Sequence, residues 1–186
     1  MSYDAIPALD KATGTWTLVP SFTGTGSPEG NIAATIGSVY IDTAATTGAI
    51  RWIKASGTGA TGWTVEYGDT GWRVWIDANT SPTHITSGRI LIRRKNDRVH
   101  VTFDEALFAR SDPSPGSLPV GFRVPGTTLS WPLQAALWPA AGGYVRLLGS
   151  NTWMNVYGAS TTSPTFTTIS FVTNNSWPTT LPGTPA

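Results

Sequence analysis

The chain contains no cysteine, which excludes a disulfide framework, a thiolate metal site and a cysteine nucleophile. That absence is compatible with either redox compartment. Charge is scarce as well: Asp, Glu, Lys and Arg make up 12% of the 186 residues, about half the roughly 25% of an average soluble domain. The 12 basic and 11 acidic side chains leave a formal net charge of +1. Nucleic acid is therefore not an expected partner, because phosphate recognition needs a concentrated cationic face. No apolar run approaches the roughly 20 residues of a membrane helix, so no membrane insertion is expected. Met1 to Pro7 lacks a basic start followed by an apolar stretch, so no signal peptide is expected. What the chain has in quantity is Thr, Ser, Asn and Gly, a polar surface suited to a neutral partner such as a sugar.

Helical periodicity is nearly missing too. Short runs alternate apolar residues with Thr, Arg or Ser between Gly, Pro and Asn, the signature of half-buried strands. Ser38–Asp42 and Ile50–Lys54 alternate cleanly around the Gly48 turn and predict an antiparallel hairpin. Trp63–Tyr67 predicts a third strand, and Gly71–Ile76 a fourth. Gly88–Arg94 and Arg98–Phe103 predict a second hairpin about Asn96-Asp97. The Pro-rich stretch from Asp112 to Gly126 predicts a loop crossing one end of a sheet. Strands resume at Thr128–Trp131, Leu133–Trp138, Tyr144–Leu148, Thr152–Tyr157 and Thr167–Val172. The helix candidates are Asp104–Ala109 and the stretch near Gln134, and an extended tail follows Trp177. Short, evenly spaced strands with Gly/Pro turns predict an all-β fold. It comprises a small N-terminal β-hairpin module, residues 1–72, and a jelly-roll-like β-sandwich, residues 73–186. The first module carries three strands and few bulky apolar residues, too little core to stand alone. It is therefore expected to borrow burial from other copies in a homo-oligomer.

Nine tryptophans are the most distinctive chemical feature. Aromatic faces stack on the C–H faces of sugar rings while short polar side chains bond the hydroxyls. Trp131, Trp138, Trp153, Asn155, Tyr157 and Trp177 form the candidate glycan-binding set. For each ring the competing role is filling the core or a subunit interface. Arg89, Arg93, Arg94, Lys95 and Arg98 could bind an anionic polymer, but alternation splits them between strand faces, which favours a solvated hairpin resisting edge aggregation. Glu66, Asp69, Asp77, Asp104 and Glu105 could serve a glycosidase only as a pair at fixed separation, and the sequence shows no such pairing. His84 and His100 are the two histidines, too far apart in sequence to read as a metal site. No Gly-x-Ser-x-Gly elbow or Asp-x-Asp-x-Asp-Gly loop occurs. No metal, cofactor or catalytic residue is expected.

A further series is distinctive as a series. It runs through Gly26-Ser27-Pro28-Glu29-Gly30, Ile36–Thr43, Gly48–Lys54 and Ser56-Gly57-Thr58-Gly59-Ala60-Thr61-Gly62-Trp63. Together these resemble a module of phage minor tail and tail-fibre proteins. Asp69–Arg73, Arg89–Arg94, Leu118–Arg123 and Trp177–Thr184 are similar to the C-terminal domain of minor tail proteins from phages of actinobacteria. The likeness covers most of the chain from Gly26 onward. The longer, often collagen-like shaft of that family has no counterpart in these 186 residues. The resemblance implies a virion protein at the distal end of the phage tail, a homotrimer contacting other tail proteins, and a distal domain touching the host envelope. The resulting expectation is a non-enzymatic tail-tip protein that attaches to host envelope glycans. A purely structural tail or baseplate component is the alternative, and a glycan depolymerase a third.

Overall fold

The computed structural model describes residues 2–10, 14–81, 83–126, 129–132, 144–147 and 153–186; of residues 2–10, 15–18 and 129–132 it describes the backbone alone. Where the expected strands fall on described residues the alternation becomes strands, and no helix occurs among the described residues. The protein is all-β. The chain separates into two compact units, Met1–Asp69 and Thr70–Ala186. Thr70 to Trp72 therefore belong to the second unit rather than the first. The Thr70 N–H donates to the Arg94 carbonyl at 2.9 Å, and the Trp72 ring meets His100 edge-on.

The first unit is a five-stranded sheet, not a three-stranded one. Its strands are β1 (Ser2–Asp10), β2 (Thr15–Gly24), β3 (Val39–Asp42), β4 (Ala49–Lys54) and β5 (Trp63–Gly68), in that spatial order. The β3–β4 hairpin and β5 lie where alternation places them. The additional β1–β2 hairpin is hidden in the sequence by Pro7 and Pro20, since proline argues against a strand. Pro7 lies on an edge strand, and Pro20 just before Ser21, where β2 begins its parallel pairing with β3. Trp63 is the centre of the unit's packing. It is buried, meets Tyr40 and Phe22 edge-on, and donates its Nε1 proton to the Ile32 carbonyl at 2.8 Å.

The second unit packs two antiparallel sheets about one core. β6 (Arg73–Asp77), β7 (Ile85–Lys95), β8 (Arg98–Phe108), β13 (Thr165–Val172) and β14 (Thr184–Pro185) form one sheet in the order β13-β8-β7-β6-β14. β9 (Gly116–Ser117), β10 (Leu129–Pro132), β11 (Tyr144–Leu147) and β12 (Trp153–Tyr157) form the other, in the order β10-β11-β12-β9. Among the described strands β9 lies beside β12 rather than β10, a Greek-key connection. Ile90, Ile92, Val101 and Phe103 from the first sheet and Val145, Leu147, Met154 and Val156 from the second share the buried core with Leu118 and Phe122.

Asp104–Ala109 is not a helical turn: β8 runs on to Phe108. Glu105 adopts a left-handed φ of 53° and forms a bulge against Gly88, itself at φ 72°. A bulge inserts one residue and shifts the alternation by one position. The buried row Val99, Val101, Phe103 thus continues as Ala106, Phe108, and the three-residue step imitates helical spacing. The stretch near Gln134, like the strand expected at Leu133–Trp138, lies outside the described residues. The tail after Trp177 is extended but ends as β14, paired with β6.

Candidate functional site

Trp153-Met154-Asn155-Val156-Tyr157 alternates along β12, so successive side chains take opposite faces. Met154 and Val156 are fully buried in the core, which leaves Trp153, Asn155 and Tyr157 on the outer face of the four-stranded sheet. Register then decides what joins them. Tyr144 lies opposite Tyr157, Arg146 opposite Asn155, and Ser117 opposite Trp153. Trp153 is 40% exposed and Tyr144 37%, so two ring systems reach solvent at opposite ends of the face. The four-residue step from Trp153 to Tyr157 spans about 13 Å of strand, room for more than one sugar ring.

The face is held in place by its neighbours. The Tyr144 and Tyr157 rings stack with centroids 4.7 Å apart and planes 19° from parallel. Such a pair moves less than either ring alone and contributes roughly 0.5–1.5 kcal/mol beyond its burial. The Ser114 hydroxyl donates to Asn155 Oδ1 at 2.6 Å. This fixes the amide plane, and Asn155 Nδ2 bonds no described residue. The Pro-rich segment runs alongside β12 instead of merely crossing a sheet end. The Val156 N–H donates to the Pro113 carbonyl at 2.9 Å, the Ala159 N–H to the Ser111 carbonyl at 2.6 Å, and the Gly158 N–H to the Asp112 carboxylate at 3.1 Å. Pro113 and Pro115 are buried. Proline along an edge also blocks unwanted strand addition.

The structure thus brings together Trp153, Asn155 and Tyr157 of the six sequence-derived candidates. Trp177 is a correction: it is buried, 7% exposed, with the Arg94 guanidinium 4.8 Å above its ring. That face is covered by a cation and cannot stack on a sugar. Trp131 pairs with Val145 in the β10–β11 register; its side chain, and all of Trp138, lie outside the described residues. Sequence reasoning missed Tyr144, Arg146 and Ser114. Tyr144 and Arg146 alternate with buried Val145 and Leu147, and that signal marks their face but not the strand they lie beside.

The other candidate chemistry resolves into structural roles. Arg89 pairs with Asp104 at 2.8 Å, and Arg51 with Glu66 at 2.9 Å. Arg93 lies over the Trp72 ring, 5.8 Å from its centroid, and Lys95 and Arg98 flank the turn in the open. The Asp77 carboxylate accepts from the Asn79 N–H and from the Thr80 N–H and hydroxyl, which holds its pKa below the usual range. His84 Nδ1 contacts the Ser81 hydroxyl at 2.9 Å and the Thr83 hydroxyl at 3.1 Å. Burial, and secondarily the Arg110 charge, push its pKa below the ordinary histidine value. Among the described residues no three His, Asp or Glu side chains could share a metal ion. A cleft of about 420 Å³ in the first unit is lined by Gly24, Thr25, Ser27, Asn31, Ile32 and Tyr40. The Asn31 amide there is already committed to the Ser27 and Glu29 carbonyls, and Tyr40 is buried. The β12 face is the better recognition surface.

Comparison with known protein families, with curated proteins and with solved structures gives no match to this chain.

Proposed function

We propose that the protein is a non-enzymatic phage tail-tip protein that attaches to host envelope glycans through the outer face of β11 and β12. The observation that carries the binding part is the alignment of Trp153, Asn155 and Tyr157 with Tyr144 and Arg146 on one solvent-facing surface. Flat apolar rings interleaved with amide, hydroxyl and guanidinium donors match the two chemistries of a sugar, its C–H face and its hydroxyls. The phage setting rests on the resemblance of the Gly26–Trp63 motifs. Glu66 and Asp104 are each engaged by an arginine, which supports binding over hydrolysis by these carboxylates. Trimerisation also rests on the resemblance, because the β1–β2 hairpin adds two strands to a unit whose expected deficit had argued for partners. Binding is weak per site and strengthened by repeated copies on a repetitive glycan surface.

The test is adsorption of the full chain to actinobacterial cells and to their purified envelope polysaccharide. Trp153→Ala and Tyr157→Ala should each lower affinity about tenfold, roughly 1.4 kcal/mol, with the thermal midpoint unchanged for Trp153→Ala. Undiminished adsorption by both variants would overturn the proposed face. Failure of the wild-type chain to bind cells, or to compete with phage, would overturn attachment and leave a structural tail component.

A further inference from the structure

Charge is distributed unevenly along this chain. Asp112 is the last acidic residue: from Pro113 to Ala186 no Asp or Glu occurs, and Arg123 and Arg146 are the only charged side chains. Arg123 is committed to the fold, its Nε donating to the Leu118 carbonyl at 3.1 Å. Arg146 is different. It lies opposite Asn155, two residues along β11 from Tyr144, in the middle of the aromatic face. Among the described residues the ion pairs are Arg51–Glu66 and Arg89–Asp104, and the Arg146 side chain makes neither an ion pair nor a hydrogen bond with any described residue. The carboxylate of Asp112, the acid on the segment bordering β12, accepts from the Gly158 N–H.

A guanidinium in such a place is an odd choice for solubility or packing alone. The rings on either side lower the local polarity, which strengthens its attraction for a negative group. Its planar fork of donors matches a carboxylate or phosphate through two parallel hydrogen bonds. We infer that the glycan bound at this face is acidic, with its carboxylate or phosphate seated on Arg146 while neighbouring sugar rings stack on Tyr144–Tyr157 and Trp153. This rests on the glycan-binding reading of the same face and adds the substrate class to it.

The experiment measures full-chain binding to an array of bacterial oligosaccharides, each backbone present in neutral, carboxylate-bearing and phosphate-bearing form. The acidic members should bind at least about tenfold more tightly than their neutral counterparts at low salt, a margin that shrinks as ionic strength rises. Arg146→Gln keeps hydrogen-bonding capacity and removes the charge; it should abolish that margin, bringing the acidic members to the affinity of their neutral counterparts. Trp153→Ala should weaken both. Whichever acidic arm shows the margin identifies the anion. Equal binding of neutral and acidic partners by the wild-type chain would overturn the inference and leave glycan binding standing. A margin that survives Arg146→Gln would overturn it as well. Silence across the whole array would overturn the glycan reading itself.

Discussion

A buried arginine that takes part in neither ion pair, Arg51–Glu66 or Arg89–Asp104, has its donors satisfied by something else, and Arg94 shows how. It is 6% exposed, and its guanidinium donates to the carbonyls of Asn96, Gly121, Asn175 and Ser176 at 2.6 to 3.0 Å. Desolvation lowers its pKa to about 10, so it remains charged at neutral pH. The side chain ties the β7–β8 turn, the Gly121 loop and the chain before Trp177 to one point, and Trp177 covers it. Arg94→Met should destabilise the protein by at least about 3 kcal/mol in urea unfolding, because several buried carbonyls lose their donor together. Arg94→Lys should recover little of this, since one ammonium cannot reach carbonyls on three segments. A loss below about 1 kcal/mol for Arg94→Met would show that water replaces the guanidinium. Alternation placed Arg94 on the opposite face from Arg89 and Arg93, but nothing in the sequence identified its four acceptors. They come from residues 2 to 82 positions away.

Elements follow alternation where the pairing is regular and escape it where a bulge or a proline intervenes. The β7–β8 pair contains both cases. Its turn end, with Asn96 at φ 53°, was legible as a hairpin. At its far end Gly88 lies so close to the Glu105 backbone that an added Cβ would sit 2.1 Å from the Glu105 carbonyl oxygen. Gly88→Ala should therefore cost about 2 kcal/mol or more, from steric overlap added to an unfavourable positive φ. Glu105→Gly should be neutral or mildly stabilising, as glycine adopts that φ freely. Chemical denaturation of the two variants checks both signs, and the bulge account fails if Gly88→Ala is silent. The motifs of the first unit have a physical reading as well. The Glu29 carboxylate accepts from the Gly62 and Trp63 N–H groups, and the Gly30 N–H donates to the Ala60 carbonyl. The Gly-Ser-Pro-Glu-Gly loop is thus stitched to the Gly-rich turn before β5, a long-range bond that sequence spacing cannot reveal.

For the whole molecule, low charge density means that few groups link stability to pH. Tyr40, Asp77, His84 and Arg94 have pKa values displaced from their ordinary ones, and of these the histidine is the group whose ordinary value lies nearest neutrality. Its folded pKa lies below its unfolded one, so between the two values the unfolded chain binds the extra proton. The contribution of neutral His84 is complete above about pH 6.5 and is lost as pH falls toward the folded pKa. Thermal midpoints measured from pH 7.5 to 5 should decline, and His84→Gln should flatten that decline; an unchanged slope would exclude His84 as its source. Asp77 acts in a lower window. Its folded pKa is depressed, so its contribution holds above the ordinary Asp value and is lost as pH falls through the folded pKa.

The sequence by itself determined that the protein is all-β, where most of its strands lie, and which residues of β12 face outward, because the two-residue period of a strand is local. Composition likewise placed the last acidic residue at Asp112 and left Arg146 among uncharged neighbours. Only the tertiary structure decided that Tyr144 stacks on Tyr157, that Arg146 stands across from Asn155, and that Trp177 is closed off beneath Arg94. Those are questions of register and packing between strands distant in sequence. A strand states which face each side chain takes, but not which strand will lie beside it.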